Sequence, residues 1–164
     1  MSVVQSGQVV SEATLFVETA DAMERLGACL APGARRASSI WLQGDLGAGK
    51  TTLCRGFIHA LGYRGRVKSP SYTLLESYRT ARFPVHHFDF YRIADSGEVE
   101  WIGIRDYFDD EAVCLVEWPE RAGRRLPAPA LRVALALDGD GRRASLHTEG
   151  GFALAAALEA FRRG

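Results

Sequence analysis

The chain of 164 residues contains no asparagine. That absence removes every N-glycosylation acceptor and the side chain on which two nucleotide-using classes depend. A GTPase reads guanine with N-K-x-D, and a protein kinase keeps an Asn in its catalytic loop, so neither signature can be written here. Lysine is scarce as well: Lys50 and Lys68 stand against 18 arginines. Cysteine is confined to Cys29, Cys54 and Cys114, an odd number with no C-x-x-C or His-paired spacing. Such scatter reads as free thiols in a reducing compartment, not as a disulfide or zinc framework. The longest uninterrupted apolar run, Phe152 to Leu158, has seven residues, far short of the roughly 20 that cross a bilayer. The segment from Met1 to Thr14 lacks the basic start and long apolar stretch of a signal peptide. A soluble cytoplasmic protein without membrane contact is the expectation.

What is present suits one globular domain over residues 1–164. Hydrophobic residues make up 47% and charged residues 24%, enough apolar matter for a core and too little charge for a disordered tail. Twenty basic side chains balance twenty acidic ones, which argues against a surface built throughout for nucleic acid or anionic membrane. The balance conceals segregation. Arg64 to Arg82 is basic apart from Glu76, Asp95 to Glu120 is acidic apart from Arg105, and Arg121 to Arg143 carries six arginines against Asp138 and Asp140. Blocks of this kind are solvated faces that can also steer a ligand or partner.

Periodicity predicts alternating elements: a strand over Ala13–Glu18, a helix over Asp21–Ala31 capped by Thr19 or Asp21, and a strand over Ser38–Gln43. A helix over Lys50–Leu61, strands over Tyr72–Tyr78 and Val85–Phe90, and a short helix over Asp95–Trp101 follow. Ala112–Val116 is a continuous apolar run of the kind buried on both faces of a sheet. A hairpin over Leu131–Leu137 and Arg142–His147 turns at Asp138–Gly141, and a helix over Phe152–Phe161 closes the chain. The fold class is α/β: a P-loop NTPase-like domain with a mixed, mostly parallel sheet flanked by helices and antiparallel edge or C-terminal strands.

Gly44-Asp45-Leu46-Gly47-Ala48-Gly49-Lys50-Thr51 fits G-x-x-x-x-G-K-[ST] without mismatch, after an apolar strand and before a helix. The glycines let the backbone turn its N–H groups inward onto an anion, helped by the positive end of the following helix. Lys50 would reach the β- and γ-phosphates and the Thr51 hydroxyl would ligate Mg2+. In a chain that writes arginine nearly everywhere, a lysine here marks a place where a compact ammonium is needed. Glu117, directly after the apolar strand, sits where open α/β sheets place their ligands and is a candidate second carboxylate for Mg2+. Asp89, at the end of VHHFD, is another at an equivalent strand end. With guanine recognition excluded, ATP is the expected nucleotide. His86 and His87 would point to opposite faces of a strand, cannot easily share a metal, and are read as structural or exposed. Tyr72, Tyr91, Trp101 and Trp118 are read as packing residues.

Beside GDLGAGKTT at Gly44 to Thr52 stand KSPSYTL at Lys68 to Leu74, HFDFYR at His87 to Arg92, GIRDYF at Gly103 to Phe108 and VEWPER at Val116 to Arg121. Together, in this order, they resemble the TsaE (also called YjeE) family, bacterial ATPases required for threonylcarbamoyladenosine in tRNAs that read codons beginning with adenine. The resemblance runs from about Thr19 to Leu137. Ser71 stands where the family commonly has Thr and Phe90 where it often has Leu; the C-terminal hairpin and helix carry little of it. It implies that Thr51 and Glu117 are the Mg2+ ligands and that Asp89 is an acid needed for ATP hydrolysis. It further implies that Ser69, Pro70, Ser71, Tyr72 and Thr73 form a switch-like loop, and that Thr19 and Ala20 lie near the adenine. The partners it implies are TsaD, which transfers the threonylcarbamoyl group to tRNA, and TsaB, so tRNA is met through the complex. ATP hydrolysis weak alone and stimulated by partners is the expectation. Two alternatives remain from the residues. One is a small-molecule kinase with Arg121, Arg124 and Arg125 as a lid, although no D-x-D or D-x-R follows the P-loop helix to hold an acceptor hydroxyl. The other is a nucleotide-sensing module without hydrolysis.

Overall fold

The computed structural model describes residues 10–149 and 151–164, so the N-terminal nine residues, part of the segment read as lacking a signal peptide, lie outside the described residues. Its organising element is the run of Val113–Glu117, in which every residue is buried. In chain order the elements are β1 (Glu12–Val17), α1 (Ala20–Leu30), β2 (Ser38–Gln43), α2 (Lys50–Ala60), β3 (Leu75–Arg79), β4 (Pro84–Asp89), α3 (Glu98–Trp101), β5 (Val113–Glu117), β6 (Leu131–Asp138), β7 (Gly141–His147) and α4 (Leu154–Arg163). They form one seven-stranded sheet in the order β1-β7-β6-β2-β5-β4-β3. Strands β4, β5, β2 and β6 are mutually parallel, and β3, β7 and β1 pair antiparallel at the two margins. The expected α/β class with a parallel centre and antiparallel edges is what the chain adopts.

The parallel strands are covered on both faces, as their apolar composition requires. One face packs against α1, α2 and α4 through residues such as Leu26, Leu53, Phe57 and Leu158. The other is covered by α3 and two 3-10 segments, Ile104–Tyr107 and Pro119–Arg125, which meet Phe88, Phe90 and Val116 through Ile104 and Ala122. Helices α1 and α2 approach closely enough that a Cβ on Gly27 would lie 2.0 Å from the Leu53 carbonyl oxygen, and one on Gly56 1.9 Å from that of Glu24. These reciprocal contacts press the helix that follows the P-loop against α1. Thr19 caps α1, its Oγ1 accepting from the Ala22 N–H at 3.1 Å. Among the described residues no helix is long and apolar enough to cross a membrane.

Most elements lie within two residues of their expected bounds, and three readings need correction. The strand expected over Tyr72–Tyr78 begins only at Leu75, because the Leu74 N–H closes a turn onto the Pro70 carbonyl at 2.6 Å and Leu74 takes φ 65°. The helix expected over Asp95–Trp101 shortens to Glu98–Trp101, since Glu98 Oε1 accepts the N–H groups of Ala94 and Asp95 in a turn before it. Tyr72 and Trp101, read as packing residues, are 82% and 91% exposed.

The helix contact generates a stability prediction. Gly56→Ala drives a methyl group into backbone that cannot yield as a flexible side chain would. It is expected to cost about 2–3 kcal/mol, measured as a lower urea midpoint with an unchanged slope.

Candidate functional site

Between β2 and α2 the chain turns through Gly44, Gly47 and Gly49 at φ 144°, 77° and 107°, conformations that side chains with a Cβ rarely adopt. Gly49 is the N-terminal boundary of α2, so the turn delivers the unpaired N–H groups of that helix to one point. Lys50 is 5% exposed. Its Nζ donates to the carbonyls of Gly44 at 2.5 Å and Asp45 at 2.8 Å and lies 4.6 Å from the centroid of the Trp118 ring. The lysine is thus folded onto its own loop, and Gly44 and Asp45 serve it through their backbone oxygens. Trp118 faces it from a left-handed conformation, φ 57°, immediately after β5.

The carboxylates come from the sheet. Asp89 and Glu117 are register partners at the carboxyl ends of adjacent parallel strands, and they are 4% and 2% exposed. Glu117 Oε1 accepts from Thr51 Oγ1 at 2.7 Å and from His87 Nε2 at 3.1 Å. Asp89 Oδ2 accepts from Ser69 Oγ at 3.0 Å and Oδ1 from the Tyr91 N–H at 2.9 Å. Parallel pairing makes this convergence unavoidable, since equivalent ends of β2, β4 and β5 all point the same way.

Two cavities straddle the P-loop. One, of about 400 Å³, is bounded by Lys50, Thr51, Ser69, Asp89, Glu117 and Trp118, with Tyr72 and Arg92 at its rim. The Arg92 guanidinium lies 4.1 Å from the Tyr72 ring centroid. The other, of about 230 Å³, is bounded by Thr19, Ala20, Met23, Ala48 and the hairpin residues Asp140 to Arg142. Gly47, Gly49 and Thr52 line both. Of the residues expected in a switch-like loop, Ser69, Ser71 and Tyr72 reach the larger cavity. Thr73 instead donates to Glu76 Oε1 at 3.3 Å, and Pro70 is buried within the turn. Leu46, also assigned to the cradle from the sequence, lines the larger cavity while 63% exposed.

Sequence reasoning missed four residues. His87 was read as structural or exposed; it is buried and bonded to Glu117, a contact that adjacent strands make and that no local pattern displays. His86 does point to the other face, where Ser77 Oγ meets its Nδ1 at 2.7 Å. Trp118 lies against Lys50 as well as Tyr91. Arg92 stands in the HFDFYR segment without a role having been read from it. Arg142 lies in the hairpin to which no function was carried over, yet its Nη2 donates to the Gly47 carbonyl at 3.1 Å. Of the arginines read as a kinase lid, Arg121 donates to the Ile93 carbonyl and Arg125 to Ser96 Oγ.

The donor set fits Mg2+. Two buried carboxylates and a hydroxyl are hard oxygen ligands at the edge of a cavity large enough for phosphates. Cys54, His87 and Glu117 also bring potential ligand atoms within 4.8 Å of one another. Burial and the nearby Glu117 and Asp89 carboxylates push the Cys54 thiol well above its ordinary range. Burial lowers Lys50 in spite of the same carboxylates. The two acids are driven apart. Burial and the neighbouring Glu117 hold Asp89 above its ordinary value against the Tyr91 and Ser69 hydrogen bonds. Burial raises Glu117 too, but the His87 and Thr51 hydrogen bonds and Asp89 outweigh it and leave Glu117 below its ordinary value.

Residues 17–145 match the family model described as threonylcarbamoyl adenosine biosynthesis protein TsaE. The chain belongs to the TsaE family. The tRNA threonylcarbamoyladenosine biosynthesis protein TsaE of Haemophilus influenzae is 47% identical over 111 residues, covering 68% of this chain and 70% of its own. That of Bacillus subtilis is 38% identical over 131 residues, 79% of each chain. The crystal structure of Bacillus subtilis YdiB aligns with a TM-score of 0.75 at 28% identity, covering 95% of this chain and 98% of that one. The family match extends past Leu137 to residue 145, so the hairpin belongs to the TsaE framework, contrary to the sequence reading. Membership places this TsaE-family chain in threonylcarbamoyladenosine modification of tRNA.

The opposed shifts of the acids make opposed contributions to stability. Glu117, held low, contributes stability that is present at neutral pH and lost as pH falls through its folded value. Asp89, held high, favours the fold while protonated, and that contribution is lost as pH rises through its folded value. Asp89→Asn keeps a carbonyl for the Tyr91 N–H and removes this penalty. It is expected to melt at higher temperature than the natural protein near neutral pH, the gain vanishing below about pH 4, where aspartate is protonated in either state. Thermal melts across that range check it, and a lower melting temperature at neutral pH contradicts it.

Proposed function

We propose that this chain binds ATP with Mg2+ across the P-loop and hydrolyses it in support of threonylcarbamoyladenosine formation in tRNAs reading codons that begin with adenine. The observation that carries this reading is the 2.7 Å contact between Thr51 and a buried Glu117 beside Lys50. A hydroxyl and a carboxylate meeting at a helix N-terminus are what a phosphate-bound Mg2+ requires. In this reading the backbone from Gly44 to Thr52 cradles the phosphates, and Lys50 exchanges its two carbonyl partners for phosphate oxygens. Thr51 and Glu117 hold Mg2+, which supplies charge neutralisation at the phosphates. Thr19 and Ala20, with the hairpin opposite, flank the base. Asp89, whose environment favours holding a proton, faces the larger cavity and is the group that takes a proton from the attacking water. Because Ser69 donates to Asp89, a change at the acid is felt at once by the loop from Ser69 to Thr73. That is the arrangement of a switch ordered by the γ-phosphate.

Among the described residues the P-loop cavities hold no second constellation suited to chemistry on tRNA, and a resetting role needs none. The protein acts in the cytoplasm on the TsaB–TsaD pair, with tRNA reached through that complex, and its hydrolysis is slow until those partners engage it. Thr51→Ala and Glu117→Gln are each expected to lower ATP turnover about a hundredfold or more, equivalent to about 3 kcal/mol of transition-state stabilisation. Phosphate release measured with and without TsaB and TsaD tests this. A phosphorylated metabolite in place of free phosphate, or full turnover in either variant, would overturn the reading.

A further inference from the structure

A buried imidazole is an expensive way to fill a sheet. His87 lies in β4 on the same face as Val85 and its register partner Leu115, is fully buried, and has Glu117 as its hydrogen-bonding partner. Its Nδ1 is buried and finds no hydrogen-bond partner among the described residues. An apolar side chain here would avoid burying a half-satisfied ring, so stability alone does not account for it. What the position does supply is a donor beneath Glu117. His87 pairs in register with Leu115, two residues before Glu117 on the neighbouring strand and on the same face, from which its Nε2 reaches Oε1. A carboxylate only accepts, so the proton of this contact sits on Nε2. Cys54, one helical turn beyond Thr51, closes the space beside the pair.

We propose that His87 is a positioning residue that fixes the Glu117 carboxylate for the ion held with Thr51. The proposal rests on the reading of Glu117 as an Mg2+ ligand. Two bonds converge on Oε1, one from Thr51 above and one from His87 in the sheet. The terminal torsion of a glutamate is broad, and a single bond leaves the carboxylate free to swing about it. The Thr51 bond comes from a hydroxyl whose oxygen is itself a proposed ligand. The His87 bond comes from a side chain with no other hydrogen-bond partner among the described residues, so it orients the carboxylate whether or not the ion is present. The oxygen not engaged by these two donors is thereby aimed in a fixed direction.

The test is ADP binding by calorimetry at graded Mg2+ and, separately, in excess chelator, with the full chain. His87→Phe keeps an aromatic ring of similar size and removes the donor. It is expected to raise the Mg2+ concentration for half-maximal enhancement of binding about tenfold or more, with the affinity in chelator unchanged. His87→Gln, which carries an N–H donor at similar reach, is expected to restore most of the difference. An unchanged Mg2+ requirement in His87→Phe, or equal losses with and without Mg2+, would sink the proposal and leave His87 a packing residue. If the Phe variant does not fold, His87→Leu carries the same comparison. Glu117→Gln separates the two readings. If it leaves the Mg2+ requirement unchanged, the assignment of Glu117 fails, whereas a normal requirement in the His87 variants alone removes only the positioning role.

Discussion

Two carboxylates buried side by side are the constraint around which this structure is arranged. Asp89 and Glu117 end adjacent parallel strands, both almost wholly removed from water, where a pair of negative charges is costly to hold. The fold offsets that cost with hydrogen bonds from Ser69, the Tyr91 N–H, Thr51 and His87. It also separates the two acids, one held above and one below its usual range. The difference between the two arises from which donors each strand end meets.

The rest of the domain holds that arrangement in register. The parallel centre points three strand ends at one place, and the glycine interlock of α1 with α2 fixes where the helix carrying Lys50 and Thr51 begins. Lys50 spends its charge on loop carbonyls and the Trp118 face. The hairpin at Asp140 to Arg142 supports the same loop from the opposite side through Gly47. A segment with no recognisable motif thus forms part of the site because it is folded back against one.

The large apolar elements were legible because their periodicity is local. The Ser38–Gln43 strand, the helix from Lys50 and the apolar strand ending at Glu117 were all readable from short windows. The loop from Ser69 to Leu74 was not. Its Tyr72-Thr73-Leu74 run imitates a strand, while a turn closed by the Leu74 N–H on the Pro70 carbonyl at 2.6 Å, with Leu74 in a left-handed conformation, decides otherwise. Exposure was equally hidden for Tyr72 and Trp101, since an aromatic residue carries no mark of whether anything will cover it.

What the sequence determined alone was the cradle. Its glycines, lysine and threonine act through backbone conformation and neighbouring positions, which a linear pattern specifies completely. The order of the other motifs then fixed the family. What only the tertiary structure decided was which distant groups meet that cradle: His87 under Glu117, Trp118 across Lys50, Ser69 on Asp89 and Arg142 against Gly47. Those contacts depend on strand register, on which face of the sheet a residue takes and on how a hairpin folds back. Each of these is settled by burying the whole core at once, and none by a residue's neighbours in the chain.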